Sequence, residues 1–339
     1  MVFVIAEAGV NHNGKLDLAF QLVDIAKESG AEAIKFQTFK SSKLASENAT
    51  KAAYQKETTD KDESQIDMLK KLELTYDEFK KVFEYCNKKE IEFISSPFDL
   101  ESADFLNELG VNTYKVGSGD LTNYTLLKKV ARTGKKLILS TGMSNIDEVE
   151  NSVKYVLENG CKQLVVLHCI SCYPTKNEDL NLLAIRTMKE KLSLIKPDIE
   201  IGFSDHTQGL DASVYSVCVG ANYVEKHFTI DKDMEGPDHR ASLNPEELNL
   251  FLRKIREIEV ILGHGDKKFR DSESENRVIV RRSLAYNESL PKGTILDYHH
   301  FITLRPNKNI CGSRLEEFIG KELKSDVLEN EFVDMLHFG

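Results

Sequence analysis

A chain of 339 residues can hold one large domain and a small appendage, since single cores rarely grow beyond about 250 to 300 residues. Hydrophobic residues make up 41% and charged residues 29%, the balance of a soluble globular protein, and no apolar run approaches the roughly 20 residues of a membrane helix. The formal charge is −10 with both signs interleaved, which argues against a nucleic-acid surface and leaves small molecules as the expected partners.

The N-terminal "MVFVIAEAGV" lacks a basic lead and carries an early glutamate, so it reads as a first strand and not as a secretory signal. Six dispersed cysteines are then expected as reduced thiols in a cytoplasmic protein. From this strand onward, short apolar runs alternate with amphipathic stretches, the pattern of repeated βα units. The predicted strands are 2–9, 33–39, 92–98, 113–119, 136–142, 164–169, 199–206 and 223–229. In the first helix, Leu18, Leu22, Ile25 and Ala26 are expected on one face with Gly30 as the stop. The last helix has Asn244 as N-cap, Pro245 at its first position and Gly263 as terminator.

Eight consecutive units in residues 1–264 predict a (β/α)₈ TIM barrel. The alternative, an open doubly wound sheet, would need a glycine-rich phosphate turn after the first strand, and "AEAGVNHNG" lacks that spacing. A long polar insertion, roughly residues 40 to 74, follows the second strand, as functional barrel loops do. Residues 265–281 read as a linker, and 282–339 as a small domain of short strands and turns that leans on another body for stability.

Barrel chemistry sits at the C-terminal strand ends, where residues two apart share a face. That pairs Ser204 with His206 and Glu225 with His227 on the adjacent seventh and eighth strands. The two histidines form a candidate divalent-metal site with open positions; two ordinary hydrogen-bonded rim histidines are the other reading. Lys35, with Gln37 on its face, and Lys115 suggest a locally positive mouth for an anion, supported by the hydroxyls of Ser96, Ser118, Ser140 and Ser204. "GSGDLT" lacks the third glycine of a dinucleotide fingerprint and is expected to bring backbone N–H groups to a phosphate or carboxylate. "CISC" (Cys169 to Cys172) lacks a redox context, and "DKDMEGPDHRAS" lacks calcium-loop spacing, although Asp238 and His239 stand out as polar groups after the eighth strand.

Taken in order, "AEAGVNHNG", "KFQTFK", "SSPF", "YKVGSGD", "STGM", "YPT", "GFSDHT" and "EKHFT…GPDHRAS" resemble the sialic acid synthase family, which includes N-acetylneuraminate, legionaminic and pseudaminic acid synthases. The tail "KGTILDYHHFITLRP" resembles that family's C-terminal antifreeze-like (SAF) domain. The resemblance implies condensation of phosphoenolpyruvate with an N-acetylmannosamine-type amino sugar and water, for surface polysaccharide biosynthesis, by a domain-swapped homodimer. It implies a divalent metal on His206 and His227, Mn²⁺ first, with Mg²⁺ or Co²⁺ as alternatives. It places phosphoenolpyruvate against Lys35, Ser96, Lys115, Ser118, Ser140, Ser171 and Ser204. Gln37, Gln55, Phe98, Tyr173 and Arg305 are expected on the sugar side, and Glu7, Asp120, Glu225 and Asp238 are the catalytic candidates. Arg305 matches an arginine that the partner's tail inserts over the active site.

This chain departs from the family pattern at Asp120, where glutamate is usual, at Ser171, where some members carry asparagine, and in "RPNKN" around Arg305. The insertion resembles the neuraminic and legionaminic branches more than the pseudaminic one. A pseudaminic acid synthase, another barrel aldolase or lyase, and a non-catalytic sugar-binding module are the alternatives to be tested.

Overall fold

The computed structural model describes every residue except 47, 48, 52–54, 56, 57 and 61. Two compact units emerge, Met1–Gly263 and His264–Gly339.

The first unit is a closed parallel barrel in strand order one to eight. Its strands are β1 (Phe3–Gly9), β2 (Ala33–Thr38), β3 (Glu92–Pro97), β4 (Thr113–Val116), β5 (Lys136–Ser140), β6 (Leu164–Cys169), β7 (Glu200–Asp205) and β8 (Tyr223–His227). The predicted strands fall at these places. Several end earlier than expected, because the backbone must turn where the site begins; after β4, Ser118–Asp120 already forms a 3₁₀ turn.

Period-two alternation divides each strand between two environments. One face, with Val4, Ala6, Ile34, Phe36, Tyr114, Val116, Leu137, Leu139, Val166, Phe203 and Val224, packs in the core that includes the surrounding helices. The other face fills the barrel floor with Ile5, Ala33, Ile94, Ile138, Val165, Leu167 and Tyr223. One pleat further toward the C-terminal ends, the inward positions turn polar: Glu7, Lys35, Ser96, Lys115, Ser140, Ser204 and Glu225, all buried. The floor is filled tightly, since a Cβ on Gly202 would overlap Tyr223 and Leu167.

Helix Leu16–Ser29 ends at Gly30 in the left-handed conformation. Its buried face is Ala19, Leu22, Val23 and Ala26, about one position away from the expected one, with Leu18 and Ile25 at its margins. The longest barrel helix, Pro245–Leu262, carries the expected Asn244 cap, completed by Glu247 into a capping box, and stops at Gly263. Within the insertion, Gln65–Leu72 is helical and packs Met68, Leu69 and Leu72 with Val10 and Phe39.

In the second unit, β9 (Ser283–Tyr286) and β10 (Phe301–Leu304) pair antiparallel. Leu284, Tyr286, Leu296, Phe318, Leu323 and Val333 form its core. The segment expected as a linker holds a 3₁₀ turn at Asp271–Glu273 and the helix Ser274–Val280. Among the described residues no helix is long and apolar enough to cross a membrane. All six cysteines are free thiols.

Candidate active site

The polar inward residues line a cavity of ≈ 250 Å³ at the C-terminal mouth of the barrel. Register explains the convergence: Glu7 pairs with Lys35 on one side and His227 on the other, Gln37 pairs with Ser96, and Ser204 pairs with Glu225. Glu7, Lys35, Gln37, Ser96, Phe98, Lys115, Ser118, Ser140, Ser171, Tyr173, Ser204, His206, Glu225 and His227 all line it. Gly117 and Gly119, from the turn expected to meet an anion, line it too, as do Met143 and Cys169, which were not anticipated. Alternation along β6 could have exposed Cys169, which shares an inward face with Val165 and Leu167.

The expected positive mouth is instead a balanced ion network. Lys35 Nζ lies 2.8 Å from Glu7 Oε2 and 4.0 Å from Glu225 Oε2, while Lys115 Nζ donates to Glu225 Oε1 at 3.0 Å. Ser204 Oγ donates to that same oxygen at 3.0 Å, and Gln37 Nε2 donates to Glu7 Oε1 at 3.3 Å. Burial alone would raise the Glu225 carboxyl, but Lys115 and Lys35 outweigh it and hold it at about 2. Glu7 goes the other way: burial prevails over Lys35, and its affinity for a proton rises. Lys35 keeps its charge firmly, because two carboxylates offset its desolvation, whereas burial and the neighbouring Lys35 cation lower Lys115.

Beside this network the rings of His206 and His227 lie 5.5 Å apart, with the Tyr173 ring 4.0 Å from that of His206. His206 Nδ1 faces Ile170 O at 2.8 Å, which makes Nδ1 the donor and leaves Nε2 to offer a lone pair once the ring is neutral. His227 is held well below the usual imidazole range by burial, by His206 and by Lys35, so it is neutral, and its Nδ1 is buried with no hydrogen-bond partner among the described residues. Burial would lower His206, but its hydrogen bonds to Cys169 and Ile170 outweigh that and raise its proton affinity, so it would give up a proton on taking a metal; with His227 already neutral, the pair suits a divalent cation. So does the charge balance: two lysines offset by two carboxylates bring no surplus positive charge to repel it.

The loops after β4, β5 and β6 meet at Gly142. Its backbone N–H donates to Ser118 Oγ at 3.0 Å, and a Cβ there would overlap Ser171 Oγ, so three strands' loops close on one glycine. Asp238 is half-buried in the loop after β8, and loss of hydration, reinforced by the Glu7 charge, pushes its carboxyl up to about 6. It does not line the cavity, but His206 and Lys35 also act on it electrostatically.

Three other sequence candidates, Asp120, Gln55 and Arg305, stand outside the lining. Asp120 sits in the 3₁₀ turn after β4, accepting from Asn123 Nδ2 at 2.9 Å, and burial raises its carboxyl. Gln55 belongs to the insertion. Arg305 is an exposed residue of the second unit, just after β10. Among the described residues, one group of three potential metal ligands converges, the largely exposed Glu288, His299 and His300 of that unit. There His300 Nδ1 accepts the Asp297 N–H at 2.8 Å, which puts the ring proton on Nε2 and leaves the neutral imidazole no second lone pair.

The chain matches the NeuB family over residues 22–267. It belongs to the NeuB family. It is 45% identical to the N,N'-diacetyllegionaminic acid synthase of Campylobacter jejuni, covering 97% of this chain and 98% of that one. With the N,N'-diacetyllegionaminic acid synthase of Legionella pneumophila it shares 43% identity over 96% and 91% of the two chains. Among solved structures it is similar to the N-acetylneuraminic acid synthetase of Leptospira borgpetersenii, in complex with citrate, at 36% identity and a TM-score of 0.71, covering 81% of this chain and 90% of that chain.

Proposed function

We propose that this NeuB-family enzyme condenses phosphoenolpyruvate with a 2,4-diacetamido-trideoxy-mannose-type sugar, forming a legionaminic acid and phosphate. The observation that carries the reading is the Lys35–Glu7–Glu225–Lys115 network set against the His206–His227 pair in one buried cavity. The two N,N'-diacetyllegionaminic acid synthases similar over nearly the whole chain support that sugar over N-acetylmannosamine.

His206 and His227 would hold a divalent ion, Mn²⁺ in the first instance, whose chemistry is Lewis-acid polarisation of the sugar's aldehyde. Lys35 and Lys115, with Ser96, Ser118, Ser140, Ser171 and Ser204, hold the phosphate and carboxylate of phosphoenolpyruvate. Its C3 then faces the aldehyde carbon, and positioning supplies much of the rate. The new C–C bond forms from C3, water adds at C2, and phosphate leaves with cleavage of its C–O bond, giving a nine-carbon 2-keto acid. Glu7, with its raised proton affinity, and the half-buried Asp238 are the groups suited to move protons in these steps. Glu225, ionised throughout, keeps Lys115 and Lys35 in place. Gln37, Gln55, Phe98 and Tyr173 meet the sugar, with Arg305 supplied by an SAF-type tail of the partner in a homodimer.

The decisive assay is phosphate release from phosphoenolpyruvate with Mn²⁺, comparing N-acetylmannosamine with 2,4-diacetamido-2,4,6-trideoxymannose. Faster release with the second sugar supports the reading; release with neither, from folded metal-loaded protein, would sink it. His227→Ala is expected to abolish turnover and weaken Mn²⁺ binding in calorimetry while leaving the circular dichroism unchanged. Arg305→Ala is expected to raise KM for the sugar and leave KM for phosphoenolpyruvate alone.

A further inference from the structure

The motif "VNHNG" that follows β1 takes no part in the condensation described above, yet its two asparagines are committed to one partner loop. Asn11 is fully buried, and its Nδ2 donates to Phe228 O at 2.8 Å and to Ser242 Oγ at 3.0 Å. Ser242 Oγ in turn donates to the carbonyl of Asp238 at 2.6 Å. Two residues along, Asn13 Nδ2 donates to Glu235 O at 2.9 Å, which turns its Oδ1 toward His239 Nε2, 3.1 Å away.

The Asn13 amide orients this chain. With Asn13 Oδ1 as acceptor, His239 Nε2 carries the proton, and in the neutral ring Nδ1 accepts from Thr229 Oγ1 at 2.5 Å, a hydroxyl that also lies 3.2 Å from Asp231 O. That arrangement needs a neutral ring, and burial lowers His239 to about 4. Gly236 closes the loop at φ 153°, where a Cβ would come within 2.6 Å of His239 Cδ2 and 2.9 Å of Asn13 Oδ1. Only glycine lets the backbone approach that closely.

These bonds bracket Asp238 on both sides, at Glu235 and at His239 and Ser242. Barrel closure does not require them: β1 and β8 already pair from Phe3↔Tyr223 through Glu7↔His227, and Phe228 N donates to Glu7 O at 2.9 Å. We propose that the turn after β1 and the turn after β8 form a latch that fixes where the Asp238 carboxyl stands relative to the barrel mouth, with Asn11, Asn13, His239 and Ser242 acting as positioning residues for it. The inference rests on the reading that Asp238 serves the condensation.

The test uses full-length, Mn²⁺-loaded protein and phosphate release, with each substrate varied in turn. Asn13→Ala is expected to lower kcat/KM for the amino sugar about 10- to 100-fold and leave KM for phosphoenolpyruvate unchanged, the size of loss that misplacing one group causes. Asp238→Ala should lose more, and the Asn13→Ala/Asp238→Ala double variant should be no slower than Asp238→Ala alone, since both changes remove one function. His239→Gln, which restores an N–H near Nε2, should recover much of what His239→Ala loses. Ser242→Ala, which deletes a single hydroxyl, repeats the cycle should Asn13→Ala fail to fold. Multiplying losses in the double variants, or equal increases in KM for both substrates, would overturn the latch while leaving the enzyme reading intact. Absence of phosphate release from the wild type, by contrast, removes the functional reading and the latch with it.

Discussion

Glu225 is contacted by three donors at once, Lys115 and Ser204 on one oxygen and Lys35 near the other, inside a cavity that leaves it almost no solvent. Replacing it with glutamine would leave two buried ammonium groups sharing the single carboxylate of Glu7. Turnover is expected to fall by about 100-fold or more, as when a preorganised charge is removed, and the melting temperature should fall with it. Unchanged turnover in Glu225→Gln would show that the network is structural only. Asp238 offers a second test, in chelated protein. Its folded pKa of about 6 lies above the ordinary 3.8, so the folded state holds the proton more tightly than the unfolded chain does. Its contribution to stability is therefore full below about pH 4 and is lost as pH rises through 6. Asp238→Asn should gain on the wild type across that interval and keep a constant advantage above it. Urea unfolding at several pH values reads this directly, and a difference flat in pH would mean that Asp238 ionises normally.

At the scale of elements, the same alternation that turns Ser204, His206, Glu225 and His227 inward turns Asp205 and Lys226 outward, under the helices. There Lys226 Nζ lies 3.1 Å from Asp205 Oδ2 and donates to Thr207 O at 2.6 Å, while Thr207 N and Ser213 Oγ also donate to Asp205. A buried pair of this kind locks β7 to β8 in the register that brings both histidines to one place. Removing one partner strands the other charge, so Lys226→Met is expected to cost ~3–5 kcal/mol in denaturant unfolding. The paired change Asp205→Leu/Lys226→Met should cost less than the single one, and a simple sum of the two effects would argue against coupling. Strand positions and inward faces were legible in the sequence, because a period of two is local. The rotation of the first helix was read less well: Leu18 and Ile25 are apolar, but the small residues Ala19 and Val23 fit more closely against the barrel.

For the whole molecule, each unit has a hydrophobic core of its own, which predicts two transitions in calorimetry; one transition at every scan rate would show that they unfold together. The alternation of apolar runs with amphipathic helices determined the barrel, and the period of two determined which lysines, serines, histidines and carboxylates share its interior. Both are properties of neighbours in the chain. Tertiary structure alone decided which of those groups neutralise one another. Lys115 on β4 meets Glu225 on β8 across the lumen, 110 positions away, and Asn13 meets His239 across 226. Such pairings depend on closure of the barrel and on the approach of loops, which no local period encodes.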